Sequence, residues 1–564
     1  MRTRIGMLGW LVVALSPAAC GSNGGGTDAT DEGTDAEPDA AEVEPDVADD
    51  GADGDVEELG DQAETRPPLD LQPGEVVELE AGADGSFTAE LGTPGDARQF
   101  GLVLYSAAWV NGKLSYTLSA TGAAAARLGE AKADPFRPPA ERHHLLTLVP
   151  ELARQVREGT IRPVRDPLPR PTVGERRNFQ ISDPATARGV LTIEGECIAL
   201  GTNLAAWIDR TTAGSTDPPA ATLDGVMTGF DDTLLPREQT FFGDVPDIDT
   251  DGVVNLLWSP IVADAGASAY FYPCDMFDSA AMPVGCDYSN EQEILYAAPA
   301  EGRYGGTPAA ILETVSHELQ HLIYFDHKVI LGGTDGSENV YIMEGWAAMG
   351  EDLTGYGRAM MFMDSLGLDS SDEFGAIEFL RDSSGYDATR DGMLRAASYL
   401  FVRYLYDRAG GDRYESGGTL TDLGGIAWAH ETIDSVHEGR ANFESSSGAP
   451  IDDLLFDWYT ALLLTGREEA DGVPLSVEPR FTYLPQTTDP VTDNPRGFDP
   501  FASFGGRFSL NGPKTVTVAT ADGEIPGTGN ELVILEADGT SPRLSVSVTG
   551  GERTALRVRV VRLR

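Results

Sequence analysis

The stretch from Ile311 to Ile323 carries the residues best suited to catalytic chemistry. It contains His317, Glu318 and His321, a complete H-E-x-x-H, inside a run whose apolar residues recur at helical spacing. Residues four apart lie on one face of a helix, so both imidazoles can reach the same metal ion. Glu318 lies beside that ion, where it can take a proton from water. The spacing predicts two ligands of a catalytic zinc site; the alternative is a surface helix with two His and a Glu.

A catalytic zinc site needs a third protein ligand, and two residues compete for this position. Glu344 follows the second His by about twenty residues, on a separate predicted helix from Val340 to Leu353, and would complete a His₂Glu set. His327 has the spacing of H-E-x-x-H-x-x-G-x-x-H. That pattern needs a sharp turn at the position of Tyr324, where Gly is normally required. We therefore predict Glu344 as the third ligand, with His327 as the alternative.

These two segments resemble the gluzincin zinc metallopeptidases. H-E-L-Q-H at 317–321 is followed by M-E-G-W-A at 343–347, similar to the N-E-G-x-A-like helix that supplies the Glu ligand in that group. The nearer likeness is to the hyicolysin-type family and covers about 190–470. The resemblance implies a zincin-like fold, a Zn²⁺ cofactor, a peptide substrate and Glu318 as general base.

The sequence departs from this family pattern at two positions. Met343 stands where Asn is usual, and Ala348 stands where thermolysin-like enzymes have an Asp that orients a zinc-bound His. Glu351 or Asp352 could take that orienting role, which fixes the ring of a metal ligand. The residues around the zinc ligands are therefore the least determined part of the prediction.

Two further elements are candidates for substrate handling. Tyr399, on a predicted helix from Gly392 to Ala409, could donate to the developing oxyanion, although a buried Tyr on such a helix often belongs to the core. Glu293–Ala297 is predicted as a short strand. An edge strand near the metal helix can hold a substrate backbone by β-addition, and this segment is our candidate for it.

The segment from 247 to 252, D-I-D-T-D-G, predicts a candidate calcium site. Asp247, Asp249 and Asp251 occupy alternate positions before a Gly, as at the start of an EF-hand loop. The twelfth position is Trp258, where an EF-hand needs a bidentate Glu, so a complete EF-hand is excluded. An irregular Ca²⁺ site and a solvated acidic turn remain as alternatives.

The N-terminal sequence is typical of a secretion signal followed by a tether. Residues 1–20 have a basic end, a short apolar run and a final P-A-A-C, which resembles a bacterial lipobox. Cys20 is therefore a candidate for lipidation, with ordinary secretion as the alternative. From Thr27 to Thr65 there are 17 Asp and Glu and no Lys or Arg, a composition that cannot form a packed core.

The net charge indicates which classes of partner are favoured, and the cysteines indicate the redox state of the compartment. The net charge is −51, of which the tether supplies about a third, so the remainder of the chain is also strongly acidic. This argues against nucleic acid and anionic lipid as partners. Cys274 and Cys286 bracket a short loop and predict a disulfide in an oxidising compartment, which leaves Cys197 as a buried apolar residue.

The predicted fold class is α+β: a zincin-like metallopeptidase domain flanked by N-terminal and C-terminal all-β, sandwich-like domains. Short apolar strands at regular spacing indicate the two β regions. The predicted boundaries are a lipoprotein signal peptide at 1–20, a disordered acidic tether at 21–66, a small β domain at 67–124, a Pro/Arg-rich linker or pro-segment at 125–173, the zinc metallopeptidase domain at 174–470 and a β-sandwich at 471–564.

Together these features predict a secreted, lipid-anchored zinc endopeptidase of the bacterial cell envelope, held at the outer membrane or cell surface or released from it. Its partners would be protein or peptide substrates and a membrane, reached through Cys20. The alternative is a non-catalytic adhesion lipoprotein built on a metallopeptidase scaffold. The intact Glu318 favours the enzyme, because a binding module has no need of a general base.

Overall fold

The computed structural model describes most of the chain after the acidic tether. The described residues are 67–93, 95, 98–124, 148–164, 167–185, 189–301, 306–334, 338–358, 360–381, 390–415, 418–469, 471–503, 509–551 and 553–564, with Phe504 and Phe508 described in backbone only. The predicted signal peptide, the tether and Cys20 lie outside them. The described residues belong to a single compact unit.

The first described elements are four strands and one helix. The strands alternate buried and exposed residues where they face solvent on one side. These elements are β1 (Val76–Glu78), β2 (Ser86–Gly92), β3 (Gln99–Ser106), β4 (Lys113–Thr121) and α1 (Val149–Arg157). Helix α1 comes from the predicted linker. Its apolar side is buried in the larger of the two apolar cores that the described residues form (the main core), so this part of the predicted linker is folded and packed.

A six-stranded mixed sheet lies beside the metal helix. Its strands are β5 (Arg176–Asp183), β6 (Gly189–Leu200), β7 (Leu204–Asp209), β8 (Val254–Trp258), β9 (Ala269–Phe271) and β10 (Ile294–Ala297), in the order β5-β6-β7-β8-β10-β9. Along the chain, three helices are interspersed with these strands: α2 (Ala220–Gly229), α3 (Leu235–Phe242) and α4 (Pro260–Asp264). Strands β7, β8 and β10 are parallel, and β9 pairs antiparallel to β10 at the edge.

A helical layer follows and contains both predicted metal-binding helices. The helices are α5 (Pro308–Phe325), α6 (Val340–Leu353), α7 (Met360–Asp369), α8 (Ile377–Leu380), α9 (Asp391–Arg408), α10 (Gly425–Asp434), α11 (Gly439–Ser447) and α12 (Ile451–Leu464), and the hairpin β11 (Asp412–Tyr414) and β12 (Leu420–Asp422) lies between α9 and α10. Helix α6 packs against both α5 and α9. The predicted bounds of α6 and α12 are confirmed.

The remaining strands form two short hairpins and contribute to both sheets of a sandwich. They are β13 (Thr487–Thr488), β14 (Pro495–Arg496), β15 (Ser503–Phe504), β16 (Phe508–Ser509), β17 (Val516–Thr517), β18 (Thr520–Pro526), β19 (Asn530–Glu536), β20 (Arg543–Gly550) and β21 (Leu556–Arg562). The first four pair only with each other, as β13 with β14 and β15 with β16.

The prediction of separate N-terminal and C-terminal β domains is wrong. The two regions interleave in a five-stranded sheet, β1-β21-β3-β19-β17, and a four-stranded sheet, β18-β4-β20-β2. Strands from both ends of the chain bury one common apolar core between the sheets. Neither region could bury its apolar face alone, because the neighbours of β3 and β4 in the sheets all come from the C-terminal segment.

The sandwich is joined to the helical layer through the other face of β3. Leu102 and Leu104 point into the sandwich core, whereas Val103 and Tyr105 belong to the main core. The ring of Tyr105 stacks on Phe456 of α12 at 5.5 Å between centroids. Among the described helices, none combines the length and the apolar character needed to cross a membrane.

Candidate metal centre and active site

Helix α5 begins at a well-defined cap and continues past the H-E-x-x-H. The side chain of Thr307 accepts a hydrogen bond from the amide of Ala310, and Pro308 occupies the first turn, where its missing N–H costs nothing. The helix runs on into a π-helical turn from Asp326 to Leu331. The chain therefore makes no sharp turn directly after His321.

Helix α6 approaches its neighbours closely at two glycines. The side chain of Asn339 caps its N-terminus by accepting from the amide of Tyr341. A Cβ on Gly345 would lie 2.3 Å from Ser398 Oγ of α9, and one on Gly350 would lie 3.1 Å from Gln320 Cβ of α5. A side chain at position 345 would force α6 and α9 apart, whereas one at position 350 would need its neighbour to shift by a few tenths of an ångström. This close approach lets the residues that flank the glycines, Glu344 and Glu351, meet side chains of α9 and α5.

The structure brings His317, His321 and Glu344 together in the buried space between α5 and α6. One nitrogen or oxygen atom from each lies within 4.8 Å of the other two. His317 Nε2 is 3.2 Å from Glu344 Oε2, and His321 Nε2 is 3.6 Å from Glu344 Oε1. Ligands about 2.1 Å from a tetrahedral zinc lie about 3.4 Å from one another. The donor set and its spacing therefore fit Zn²⁺.

Glu351 is positioned to orient one of the zinc-ligand candidates. Its Oε1 lies 2.7 Å from His317 Nδ1, so a proton on Nδ1 would direct the Nε2 lone pair towards Glu344. Ala348 leaves the position four residues after Glu344 without a carboxylate. Glu351 lies seven residues after Glu344, two helical turns further along the same face of α6. From there it makes the contact with His317 that Ala348 cannot make.

Arg395 of α9 places a positive charge beside the buried carboxylate of Glu344. Its Nε is 3.2 Å from Glu344 Oε2, and both side chains are buried. A buried carboxylate needs opposite charge to remain ionised, and ionised Glu is the form that binds a metal. The sequence contains no local signal for this pair, because the two residues are brought together only by the packing of α6 on α9.

Glu318 contacts the edge strand of the sheet. The amide of Phe271 in β9 donates to Glu318 Oε2 at 2.8 Å. This bond fixes one carboxylate oxygen and so sets the direction of the other. The candidate edge strand at Glu293–Ala297 is wrong in position: Ile294–Ala297 forms β10, which is covered on both sides by β8 and β9. The three residues of β9 form the edge, which is too short to show an alternating pattern in the sequence.

His327 does not join the metal cluster. Its Nδ1 lies 2.7 Å from Asp434 Oδ1 and its Nε2 lies 3.1 Å from the carbonyl oxygen of Asp244. Both ring nitrogens are therefore engaged away from His317 and His321. The physical reason is the π-helical continuation of α5, which carries His327 past the site where a tight turn would have returned it.

The hydroxyl of Tyr399, the candidate oxyanion donor, is engaged by Asp352 in this structure. The side chain of Tyr399 is fully buried, and its hydroxyl donates to Asp352 Oδ2 at 3.2 Å. Burial and the charge of Asp352 raise the pKa of Tyr399 well above its usual value, so it remains a neutral donor. Arg403 donates to the same carboxylate at 2.6 Å. Tyr399 and Arg403 therefore belong to a polar contact that holds α9 to α6.

A carboxyl group behind the metal helix is held in its neutral form. Ser316 Oγ, adjacent in sequence to His317, donates to Glu238 Oε1 of α3. Burial raises the pKa of Glu238 to about 8, so the group is mainly protonated at neutral pH. The contact fixes α5 against α3 without adding a full negative charge behind the site.

The acidic loop from 247 to 252 forms a second cluster, which differs from the prediction by one residue. Oxygen atoms of Asp247, Asp249 and Glu293 lie within 4.8 Å of one another. Glu293 immediately precedes β10 and is distant in sequence from the loop, so spacing alone could not identify it. Asp251 is buried beside this cluster but is not one of its three members.

The predicted disulfide between Cys274 and Cys286 is confirmed, with a Cα–Cα distance of 5.8 Å. It closes the loop that follows β9. Cys197 is a free, buried thiol in β6, as predicted. Burial raises its pKa to about 11, so it remains protonated and unreactive at neutral pH.

Comparison with known proteins gives a partial relationship. No protein-family model matches the chain. A stretch of 133 residues is 26% identical to the neutral metalloprotease ShpI of Staphylococcus hyicus. The match covers 22% of this chain and 29% of that protease, so the chain is matched over less than a third of its relative's length. The chain is thus similar in part to a metalloprotease.

Two solved structures match part of the chain at low similarity. One is an M1 zinc metallopeptidase of Deinococcus radiodurans, with 13% identity, a TM-score of 0.24 and coverage of 50% of this chain and 48% of that one. The other is yeast LTA4 hydrolase, with 10% identity, a TM-score of 0.26 and coverage of 48% and 41%. Because both TM-scores are low, the assignment of chemistry rests on this chain's own residues.

Proposed function

We propose that the protein is a zinc-dependent endopeptidase of gluzincin type, nearest the hyicolysin-type family. The observation that carries the proposal is the arrangement of His317, His321 and Glu344, whose donor atoms have the spacing of a tetrahedral zinc site. The partial match to a neutral metalloprotease supports the same chemistry. Three protein ligands leave one position open, as catalytic zinc requires.

Zinc in this site would supply Lewis acidity, which polarises a carbonyl and acidifies water. Glu318 acts as the general base and holds the proton until it passes to the leaving amine. The Phe271 amide keeps one of its oxygens in place, which limits the rotation of the carboxylate. Glu351 orients His317, and Arg395 places a positive charge 3.2 Å from Glu344, which partly offsets the charge of that carboxylate.

Strand β9 is the proposed platform for the substrate backbone. It lies at the edge of the sheet, and the Phe271 amide points away from β10 towards Glu318. Because successive residues of a strand alternate in direction, the backbone of Ala269 faces the same side. An extended peptide added to this edge would pass beside Glu318, which favours an endopeptidase acting on extended, unfolded segments.

Peptide hydrolysis by wild type and Glu318→Ala, with and without 1,10-phenanthroline, tests this function. Denatured casein is the substrate, and zinc content is measured on the same samples. We expect Glu318→Ala to keep zinc and to lower kcat/KM by about 10²–10⁴-fold. Glu301→Ala, at an exposed Glu before α5, is the matched control and should be unaffected.

Each other outcome contradicts part of the proposal. Hydrolysis that survives Glu318→Ala would contradict the role of Glu318 as general base. Hydrolysis that survives the chelator would contradict the requirement for zinc. Zinc bound without cleavage of any peptide would instead favour the non-catalytic adhesion lipoprotein, in which the fold serves only to display a binding surface.

We propose further that the protein is attached to the bacterial envelope through a lipidated Cys20. The lipobox-like sequence and the acidic tether support this, and the Cys274–Cys286 disulfide fits an oxidising compartment. Growth with radiolabelled palmitate should label wild type, and Cys20→Ala should abolish both the label and recovery in the membrane fraction. A membrane-bound, unlabelled wild-type protein would contradict the anchor.

A further inference from the structure

The acidic loop and the strand that follows the disulfide meet at a point distant from the zinc candidates in sequence. Asp247 and Asp249 come from the loop before β8, and Glu293 comes from the residue before β10. Their carboxylate oxygens lie within 4.8 Å of one another, and Glu293 and Asp249 are 1% and 0% exposed. Three ionised carboxylates at this spacing repel one another unless a cation lies between them or a proton neutralises one of them.

Several oxygens of this cluster are buried and remain available as ligands. One oxygen of each carboxylate accepts from a backbone amide: Glu293 Oε1 from Ile248, Asp249 Oδ1 from Asp251 and Asp247 Oδ1 from Gly252. The second oxygens of Asp249 and Glu293 are buried and accept no hydrogen bond from the described residues. A buried acceptor that is left unsatisfied destabilises the fold, so a ligand is expected at these two oxygens.

The hydrogen bonds of the positive side chains near the loop go to groups outside the cluster, although Arg177 Nη1 is buried and donates to no described residue. Arg177 lies close enough to act on Asp249 and Asp251, but its guanidinium bonds Glu175 at 2.6 Å and the carbonyl of Pro169 at 2.7 Å. Arg170 donates to backbone carbonyls. Neither arginine donates to a carboxylate of the cluster in any described contact. Burial raises the pKa of Asp249 to about 7 and that of Glu293 to about 9, so without a cation the cluster is partly protonated, and a bound cation would favour its ionised form.

We propose that Asp247, Asp249 and Glu293 bind one divalent cation of the calcium type. An all-oxygen, carboxylate-rich set suits a hard cation and does not suit zinc, which prefers nitrogen and sulfur. Glu293 supplies, from another part of the chain, the carboxylate that an EF-hand loop has at its twelfth position and that Trp258 cannot provide. Asp247 is exposed, so water can complete the coordination shell.

The cation would connect the loop before β8 to the start of β10, which pairs with β9. The predicted consequence is a stiffer sheet edge next to Glu318, and hence higher thermal stability in the presence of calcium. This site is independent of the proposed peptidase activity, because its ligands, its cation and its readout all differ from those of the zinc cluster.

The test is calorimetric titration of the full chain with Ca²⁺, with zinc held in excess in every sample. We expect one Ca²⁺ per chain in addition to weak binding by the acidic tether, and a rise in Tm with calcium. Glu293→Gln should weaken the specific binding by about tenfold or more and remove the rise in Tm. Glu301→Gln, an exposed Glu in the same region, should behave as wild type.

A second variant keeps the test decisive if Glu293→Gln fails to fold. Asp247 lies at the surface. The variant Asp247→Asn retains an oxygen that can accept from the Gly252 amide, so only the negative charge is lost. It should weaken calcium binding while leaving the calcium-free Tm near that of wild type. Binding unchanged in both folded variants would assign calcium to the tether and overturn the proposal, as would wild type with no specific calcium binding.

Discussion

The two clusters of candidate ligands differ in the elements that hold them and in their donor atoms. His317, His321 and Glu344 project from two helices packed at glycines, and Glu351 and Arg395 fix or balance them. Asp247, Asp249 and Glu293 come from a loop and a strand end, and backbone amides are their main partners. The first cluster offers two nitrogen ligands and one oxygen ligand, whereas the second offers oxygen ligands only.

Under the two proposals, this difference separates a cluster that would catalyse from one that would only stabilise the fold. A soft-to-borderline ion in a rigid, partly nitrogen site retains an open position and acidifies water. A hard cation among flexible carboxylates fills its shell with oxygen and water and contributes rigidity. The same measure of closeness, three ligand atoms within 4.8 Å, therefore describes two chemically distinct sites.

The largest expected effect separates the two clusters directly. Glu344→Gln keeps the size of a zinc ligand but removes its charge, so the zinc Kd should rise by more than about a hundredfold, while calcium binding stays unchanged. Glu293→Gln should weaken calcium binding and leave the zinc Kd unchanged. Zinc and calcium titrations of the two purified variants measure both constants, and loss of both metals in either variant would show that the clusters are one linked site.

A smaller effect is expected from the residue that orients a zinc ligand. Glu351→Gln keeps an acceptor for His317 Nδ1 but removes the negative charge, so zinc affinity should fall by about 10–100-fold. The measurement is competition for zinc with a chromophoric chelator, and Glu301→Gln is the control. Affinity equal to wild type would remove Glu351 from the zinc site and leave His317 oriented by other contacts.

Tyr399→Phe examines whether the polar contact beside the first cluster takes part in catalysis. The variant loses one buried hydrogen bond to Asp352, which should lower the free energy of unfolding by about 1–2 kcal/mol. Urea denaturation measures this loss, and kcat should remain near that of wild type. A fall in kcat of about a hundredfold with zinc retained would restore Tyr399 as the oxyanion donor.

The smallest effect on zinc is expected at His327. Because its ring nitrogens face Asp434 and the Asp244 carbonyl, His327→Ala should leave zinc content unchanged and lower stability by about 1 kcal/mol or less. Zinc content by atomic absorption and Tm are the two readouts. Zinc loss in this variant alone would mean that the first cluster has a different third ligand.

Local sequence patterns predict the elements that carry the site with good accuracy. The bounds of α6 and α12 agree at both ends, and α5 contains the whole predicted stretch. These agreements arise because apolar periodicity, an Asn cap and a Pro in the first turn are written in neighbouring residues. The same periodicity is sufficient to place His317 and His321 on one face of α5.

Errors arise where two distant segments have to be matched. The sequence contains the strands of the sandwich, yet no local feature states that β3 is flanked by β19 and β21. Likewise, the sequence pattern indicates β10 as the substrate edge, one strand inside the true edge at β9, because a three-residue strand has no periodicity to read.

The amino-acid sequence by itself determined the chemistry available to this protein: two His and a Glu at helical spacing, a carboxylate on a second helix, an acidic loop and an acidic tether. Tertiary structure alone decided which groups meet: Glu351 with His317, Arg395 with Glu344, the Phe271 amide with Glu318, and Glu293 with the acidic loop. The physical reason is that helix faces follow from short-range geometry. Contacts between elements depend instead on how complete apolar faces are buried against one another.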